Sequence, residues 1–225
     1  FIAPDFIRLL RTLHPTEYSA VPAMHQAILR EIRKVPEDEL RPNSLRRIRS
    51  GSSMLPGRVR EELERLLGAP LIEGDASTEA GTITVNIPPR PGSVGLPVIE
   101  ELAIIDDEGN RLGPGRIGEI LVRGTTVFEG YENAPDETSA VFTGGWFRTG
   151  DLGYCDIDGY LFLSGRKKEL INKGGEKIPP AAIDAVLLSH PDVMDAMAFP
   201  LEDPVLGEEV GAMVVRRRQD LTENE

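Results

Sequence analysis

Phe6, Leu9, Leu10 and Leu13 fall at i, i+3, i+4 and i+7, which predicts a short helix with one apolar face, ended by Pro15. Pro22 opens a second helix with Met24, Ala27, Ile28 and Ile32 inward before Pro36. Leu45 to Ser50 reads as a strand that feeds a turn running from Gly51 to Pro56. The next helix turns Val59, Leu63, Leu66 and Leu67 inward and Arg58, Arg60, Glu61, Glu62, Glu64 and Arg65 outward, and Gly68 stops it. Pro70 to Gly74 is a second apolar strand. Strand, helix and strand with tight connections predict a parallel crossover unit, whose ligands bind beyond the carboxyl ends of the strands. Two small-residue loops, Gly51-Ser52-Ser53 and Gly74 to Glu79, are therefore expected to face one crevice.

From about Pro88 the pattern shortens. Alternating runs at Glu101 to Ile105, Ile117 to Arg123 and Tyr154 to Leu163, the last folded about Asp158-Gly159, predict a small antiparallel β subdomain. After Gly165 it changes again, to a helix from Pro179 or Pro180 with Ile183, Val186 and Leu187 inward, then strands near Val193 to Phe199 and Val210 to Val215. The expected class is α/β followed by a β-rich subdomain and a partial small α+β C-terminal domain. The boundaries fall at 1–90, 91–165 and 166–225. An apolar opening helix with nothing before it to pack on, and a last segment too small to close a core, both suggest a piece of a longer chain.

Composition narrows the function. A net charge of -12 over 225 residues argues against a nucleic-acid or anionic-membrane surface, which needs clustered Lys and Arg. No run reaches the length of a membrane span, and the expected setting is cytoplasmic. The single cysteine, Cys155, excludes an internal disulfide framework and reads as a half-buried structural thiol. His14 and His25 have no second ligand at metal spacing, so capping or surface positions are expected for both.

Local chemistry concentrates in two places. Ser77-Thr78-Glu79 at a strand end offers a hydroxyl to a phosphoryl oxygen and a carboxylate to a divalent cation, although the same order also suits a helix cap with an acidic first turn. Asp151, after Thr149-Gly150, can accept from two vicinal hydroxyls of a ribose, or form an Asx turn. Arg166 can reach the same sugar or its phosphate, or make a rim salt bridge. Gly174-Gly175 lets backbone approach a ligand, or simply turns the chain.

The order of these signals along the chain carries more than each alone. Thr78-Glu79, then Gly118-Glu119-Ile120-Leu121-Val122-Arg123-Gly124, Gly130-Tyr131, Gly145-Trp146-Phe147-Arg148-Thr149-Gly150-Asp151, Asp158-Gly159-Tyr160, and Gly165 to Ile171 with Gly174-Gly175-Glu176, resemble the adenylate-forming enzymes. That superfamily holds acyl-CoA synthetases, luciferases and the adenylation domains of peptide synthetases. The Gly-Gly-Glu-Lys-Ile-Pro wording at 174–179 is most similar to acyl-CoA ligases, including the peroxisomal and oxalate-type branch.

The resemblance implies a fragment of the acyl-CoA synthetase-like fold and a two-step reaction. A small carboxylic acid attacks the α-phosphate of ATP to give an acyl-adenylate, and coenzyme A, or a carrier protein in the alternative, then displaces AMP. By resemblance Thr78 contacts phosphate, Glu79 serves Mg²⁺, and Asp151 with Arg166 holds the ribose. Gly51, Ser52 and Ser53 line the adenine and acyl pockets, and the stretch Gly74, Asp75, Ala76, Ser77 and Thr78 completes the nucleotide-binding surface. Lys168 corresponds to the hinge of the mobile C-terminal domain, and Gly174, Gly175 and Glu176 to the coenzyme A site. The family's phosphate loop and its adenylating lysine have no counterpart in 1–225, so a chain unable to form acyl-adenylate alone is expected. A non-catalytic scaffold relative is the rival from another class. It is motivated by Asp75-Ala76, which replaces the aromatic-Gly pair that stacks on adenine. Thr82 stands near a His of the oxalate-type branch, which disfavours oxalate as the acid.

Overall fold

The computed structural model describes residues 1–41, 43–51 and 55–217, and the chain divides into two units. The first comprises Phe1–Leu102, Val122–Glu132 and Asp156–Phe162. It opens with α1 (Asp5–Leu13), β1 (Glu17–Ala20), α2 (Pro22–Ile32) and the one-turn α3 (Glu37–Leu40). Then come β2 (Arg47–Ser50), α4 (Gly57–Leu67) and β3 (Leu71–Glu73). The three strands form a parallel sheet in the order β1-β2-β3, with Tyr18 opposite Ile48 and Ile48 opposite Leu71. The expected crossover is present. A second one precedes it, because Glu17–Ala20 is a strand that four residues between two helices did not announce.

The inward faces of α2 and α4 explain the core of this unit. Ile28, Leu29, Ile32, Leu63, Leu66 and Leu67 are buried with Ile48 and Leu71 in one cluster. The helix α4 ends where Gly68 takes a left-handed conformation, and Asn43 donates to the Leu67 carbonyl at 2.9 Å while Arg41 donates to those of Leu66 and Arg65. Two expectations need correction. Leu9 and Leu13 of α1 are exposed, and only Leu10 of that face is buried. His25 is fully buried, with Nε2 3.2 Å from the Arg49 carbonyl and Nδ1 3.4 Å from the Tyr18 hydroxyl. Burial depresses its pKa despite backbone hydrogen bonds with Arg49 and Ala20 that act the other way. A helix-face pattern cannot separate such a satisfied core histidine from a surface one.

Two short antiparallel ribbons complete the first unit's named strands: β4 (Ala76–Ser77) with β5 (Gly81–Thr82), and β6 (Thr84–Val85) with β7 (Leu96–Pro97). Buried side chains tie them down. The Thr84 hydroxyl donates to the Val94 carbonyl at 2.7 Å, Asn86 donates to the carbonyls of Arg90 and Ser93, and the Ser93 hydroxyl donates to that of Leu161.

The second unit comprises Ala103–Leu121, Asn133–Cys155 and Leu163–Glu225. Five further strands follow along the chain, β8 (Glu101–Ile105), β9 (Gly118–Arg123), β10 (Phe142–Thr143), β11 (Trp146–Cys155) and β12 (Leu161–Arg166), with α5 (Pro135–Val141) before β10. They form a sheet in the order β10-β11-β9-β8, with β12 also paired to β11. Ala103, Ile105 and Leu121 pack against Trp146. Alternation was expected along β9, but Gly118 to Val122 is buried at every position, so both faces are covered.

A 3₁₀ turn at Lys167–Glu169 leads to the hairpin of β13 (Ile171–Lys173) and β14 (Glu176–Ile178). Its two-residue turn, Gly174 at φ 60° and Gly175 at φ 95°, needs left-handed backbone at both positions, which glycine alone supplies without strain. Then α6 (Pro180–Ser189) and the long hairpin of β15 (Val193–Asp203) and β16 (Gly207–Arg216) follow, in a four-stranded sheet ordered β14-β13-β16-β15. Ile183 and Leu187 are half-buried as expected, whereas Val186 is exposed.

Candidate nucleotide-binding site

In the second unit, β11 carries Arg148-Thr149-Gly150-Asp151 and β12 ends at Arg166. The two segments meet. Arg166 Nε donates to Asp151 Oδ1 at 2.7 Å, with Asp151 15% and Arg166 48% exposed. The Asp151 N–H donates to the Thr149 hydroxyl at 3.1 Å, and that hydroxyl donates to the Ile120 carbonyl at 2.9 Å. Asp151 therefore lies in a strand rather than in an Asx turn. Thr149, Gly150, Arg166, Lys167 and Lys168 line a pocket of about 350 Å³ beside this pair. A cation and a carboxylate at one open pocket suit a ligand that offers both hydroxyls and anionic oxygens.

Lys167, which lines that pocket, also belongs to a charge network with Glu119, Arg148 and Asp107. Glu119 of β9 has a side chain 5% exposed and is held by Arg148, whose Nε donates to Oε1 at 3.1 Å and whose Nη2 reaches Oε2. Lys167 Nζ lies 3.1 Å from Glu119 Oε2 and 3.0 Å from Asp107 Oδ1. Asp107 also accepts from Lys177 at 2.9 Å. Burial works against the Glu119 charge, and the bonds from Arg148 and Lys167 outweigh it, so its carboxyl sits below the usual range. The bonds from Lys177 and Lys167 bring Asp107 down to about 2. A charged residue between Gly118 and an Ile-Leu-Val run was the available signal, since a carboxylate at that position is buried only when paired.

The first unit holds Thr78 and Glu79. They stand in the turn between β4 and β5, so the helix-cap alternative does not apply. Residues 126–131 brace this turn: Phe128 donates its N–H to the Glu79 carbonyl at 2.7 Å, Thr126 its hydroxyl to that of Ala80 at 2.8 Å, and Tyr131 its hydroxyl to Glu79 Oε1 at 3.0 Å. Thr78 is exposed and Ser77 accepts the Ala80 N–H at 3.0 Å. Upstream, Asp75 is pinned through its backbone, its N–H donating to the Thr84 hydroxyl at 3.1 Å and its carbonyl accepting from Ile83 at 2.9 Å. A Cβ on Gly74 would stand 2.7 Å from the Thr84 carbonyl oxygen, so Gly74 permits that close approach, and Ala76 is exposed.

The remaining expected positions are placed as follows. Ser52 and Ser53 lie outside the described residues, while Gly51 follows β2 on the side of the sheet where Gly74 follows β3. Lys168 is exposed in the 3₁₀ turn. Gly174 and Gly175 form the β13-β14 turn, where Gly175 donates to Asn172 Oδ1 at 3.1 Å, and the exposed Glu176 opens β14. Among the described residues no group of three or more His, Cys, Asp or Glu side chains is placed to hold a metal ion, and no helix is long and apolar enough to cross a membrane.

Comparison with known proteins decides the family. Residues 1–132 match the family model described as AMP-binding enzyme. The chain belongs to the AMP-binding enzyme family. Among curated members, it is 46% identical over 223 residues to a probable CoA ligase, CCL9, of Humulus lupulus, covering 96% of this chain and 42% of that protein. To the oxalate–CoA ligase of Arabidopsis thaliana it is 45% identical, covering 96% and 43%. Among solved structures, o-succinylbenzoate coenzyme A synthetase of Bacillus subtilis in complex with ATP and magnesium ion matches with a TM-score of 0.82 at 33% identity, covering 100% of this chain and 46% of that one. ATP-bound MatB from Rhodopseudomonas palustris matches at 0.87 and 29% identity, over 99% and 44%. The AMP-binding chain thus spans less than half the length of these relatives, and its fold is that of an acyl-CoA synthetase fragment.

Proposed function

We propose that this chain is the nucleotide-handling part of an AMP-forming acid–thiol ligase, which joins a carboxylic acid to coenzyme A through an acyl-adenylate. The observation that carries the reading is the pairing of Asp151 with Arg166, which itself lines the pocket formed by Thr149, Gly150, Arg166, Lys167 and Lys168. Asp151 is the acceptor for the ribose hydroxyls, and Arg166 orients its carboxylate while facing the adjoining phosphate. Within the first unit, the stretch from Gly74 to Thr78 is a nucleotide-contacting segment, with the Thr78 hydroxyl donating to a phosphoryl oxygen.

A divalent cation suits this donor set. Glu79 presents one hydroxyl-braced carboxylate in an exposed turn, and Mg²⁺ is typically bound by one or two carboxylates plus substrate phosphates and water. When bound, Mg²⁺ neutralises the polyanion that an incoming carboxylate must approach. Glu79 would hold it, Lys168 would serve as the hinge, and the Gly174-Gly175-Glu176 turn would border the thiol acceptor. The CoA ligase names of the relatives favour coenzyme A over a carrier protein.

The test is ATP-dependent pyrophosphate release by the whole protein, run with short, medium, long and aromatic acids, with and without coenzyme A. Release that requires one class of acid and ends in a thioester supports the ligase. No release with any acid, and no Mg-ATP binding, would refute it and leave the scaffold reading, with Asp75 marking a lost adenine site.

A further inference from the structure

We infer that Glu119 is a positioning residue for ribose recognition, holding the two segments that carry Asp151 and Arg166 in mutual register. The inference rests on the ribose reading of Asp151 and goes one layer beneath it. Glu119 touches neither proposed ligand contact. It sits on β9, buried, with one carboxylate oxygen taken by Arg148 and the other shared between Arg148 and Lys167. Arg148 precedes Asp151 by three residues on β11, and Lys167 directly follows Arg166 at the end of β12.

The next residue of β9 repeats the arrangement. The Ile120 carbonyl accepts from Thr149, whose oxygen in turn accepts the Asp151 N–H. Glu119 and Ile120 therefore hold Arg148 and Thr149, the two residues before Gly150, the Thr149 hydroxyl carries the tie on to the Asp151 N–H, and Glu119 shares with Asp107 the hold on Lys167, the residue after Arg166. A buried carboxylate with two cationic partners has few alternative arrangements, because releasing either partner leaves charge in a poorly solvated place. Through Arg148 and Lys167, this clamp holds the segments that carry Asp151 and Arg166 at a fixed spacing. An isolated Arg166–Asp151 pair, with Arg166 48% exposed, would not hold that geometry by itself.

The experiment compares the affinities of the whole protein for ATP and for 2′,3′-dideoxy-ATP, by calorimetry, in wild type, Glu119→Gln and Lys167→Met. The wild type is expected to prefer ATP by about tenfold or more, the scale of hydrogen bonds to a charged acceptor. Glu119→Gln is expected to lose most of that preference, with dideoxy-ATP affinity changed less than about threefold. Lys167→Met, which keeps the Arg148–Glu119 pair, is expected to lose part of it, and it decides the matter if Glu119→Gln does not fold. A wild type without preference would overturn the ribose reading itself. A wild-type preference that survives the substitutions, or an equal loss of affinity for both nucleotides, would overturn the role of Glu119 alone.

Discussion

Arg60 on α4 and Glu73 at the end of β3 form the pair through which the helix holds the strand that leads to the Gly74–Glu79 loop. Arg60 Nη1 lies 2.7 Å from Glu73 Oε2, and the two side chains are 11% and 12% exposed. A second nitrogen of the same guanidinium donates to the Leu71 carbonyl at 3.0 Å. Burial already raises the Glu73 pKa, with the Arg60 charge pulling the other way. Arg60→Met keeps the apolar stem and removes the charge, leaving a carboxylate with little solvent. Breaking a buried pair costs about 3 to 5 kcal/mol, and the residual exposure here places the loss near 3 kcal/mol at about pH 8.

The sign of the pH dependence follows from the direction of the shift. Without Arg60 the folded-state pKa of Glu73 rises further above its unfolded value of 4.5. The folded state then binds a proton more tightly than the unfolded state, so stability is greatest at low pH and is lost as pH rises through the folded pKa. Urea unfolding between about pH 5 and about pH 8 should show the variant regaining up to about 1.4 kcal/mol per pH unit as Glu73 protonates. Arg60→Met with Glu73→Gln should recover most of the loss, since no charge is left stranded. A single variant that loses less than about 1 kcal/mol, or whose loss does not change with pH, would refute the desolvation argument.

Three further outcomes are expected. Asp151→Asn should weaken ATP binding about tenfold to hundredfold while leaving dideoxy-ATP nearly unaffected, read by calorimetry on the whole protein; equal weakening of both would deny Asp151 its ribose contact. Gly74→Ala should destabilise the fold by about 1 to 3 kcal/mol in thermal unfolding, because the new Cβ would stand 2.7 Å from a backbone oxygen that has no flexible side chain to yield; an unchanged melting temperature would contradict that packing. Asp107, with its carboxyl at about 2 against an ordinary 3.8, stabilises the fold above about pH 4 and loses that contribution as pH falls toward 2. Asp107→Asn should flatten this acid limb of the stability curve, modestly and less in high salt, and an identical limb in the variant would show that the Lys167 and Lys177 pairs contribute nothing.

What the sequence determined by itself was local and periodic. The i, i+4, i+7, i+8 spacing of Val59, Leu63, Leu66 and Leu67 set α4 and its buried face, Gly68 set where it stops, and the paired glycines 174 and 175 marked a turn or a close backbone approach, each from local preferences. The order of motifs from Thr78 to Glu176 also sufficed to reach the AMP-binding family. Tertiary structure alone decided which polar residues were buried and with whom. His25 carries no local signal of its burial and Glu119 only its place before an Ile-Leu-Val run, and neither could name its partners, because Tyr18 and Arg49 for one, Arg148 and Lys167 for the other, come from separate strands or turns that only the fold brings together. Asp151 and Arg166 were legible in the sequence as candidates for one sugar. Their 2.7 Å contact was not, since it depends on the pairing of β11 with β12.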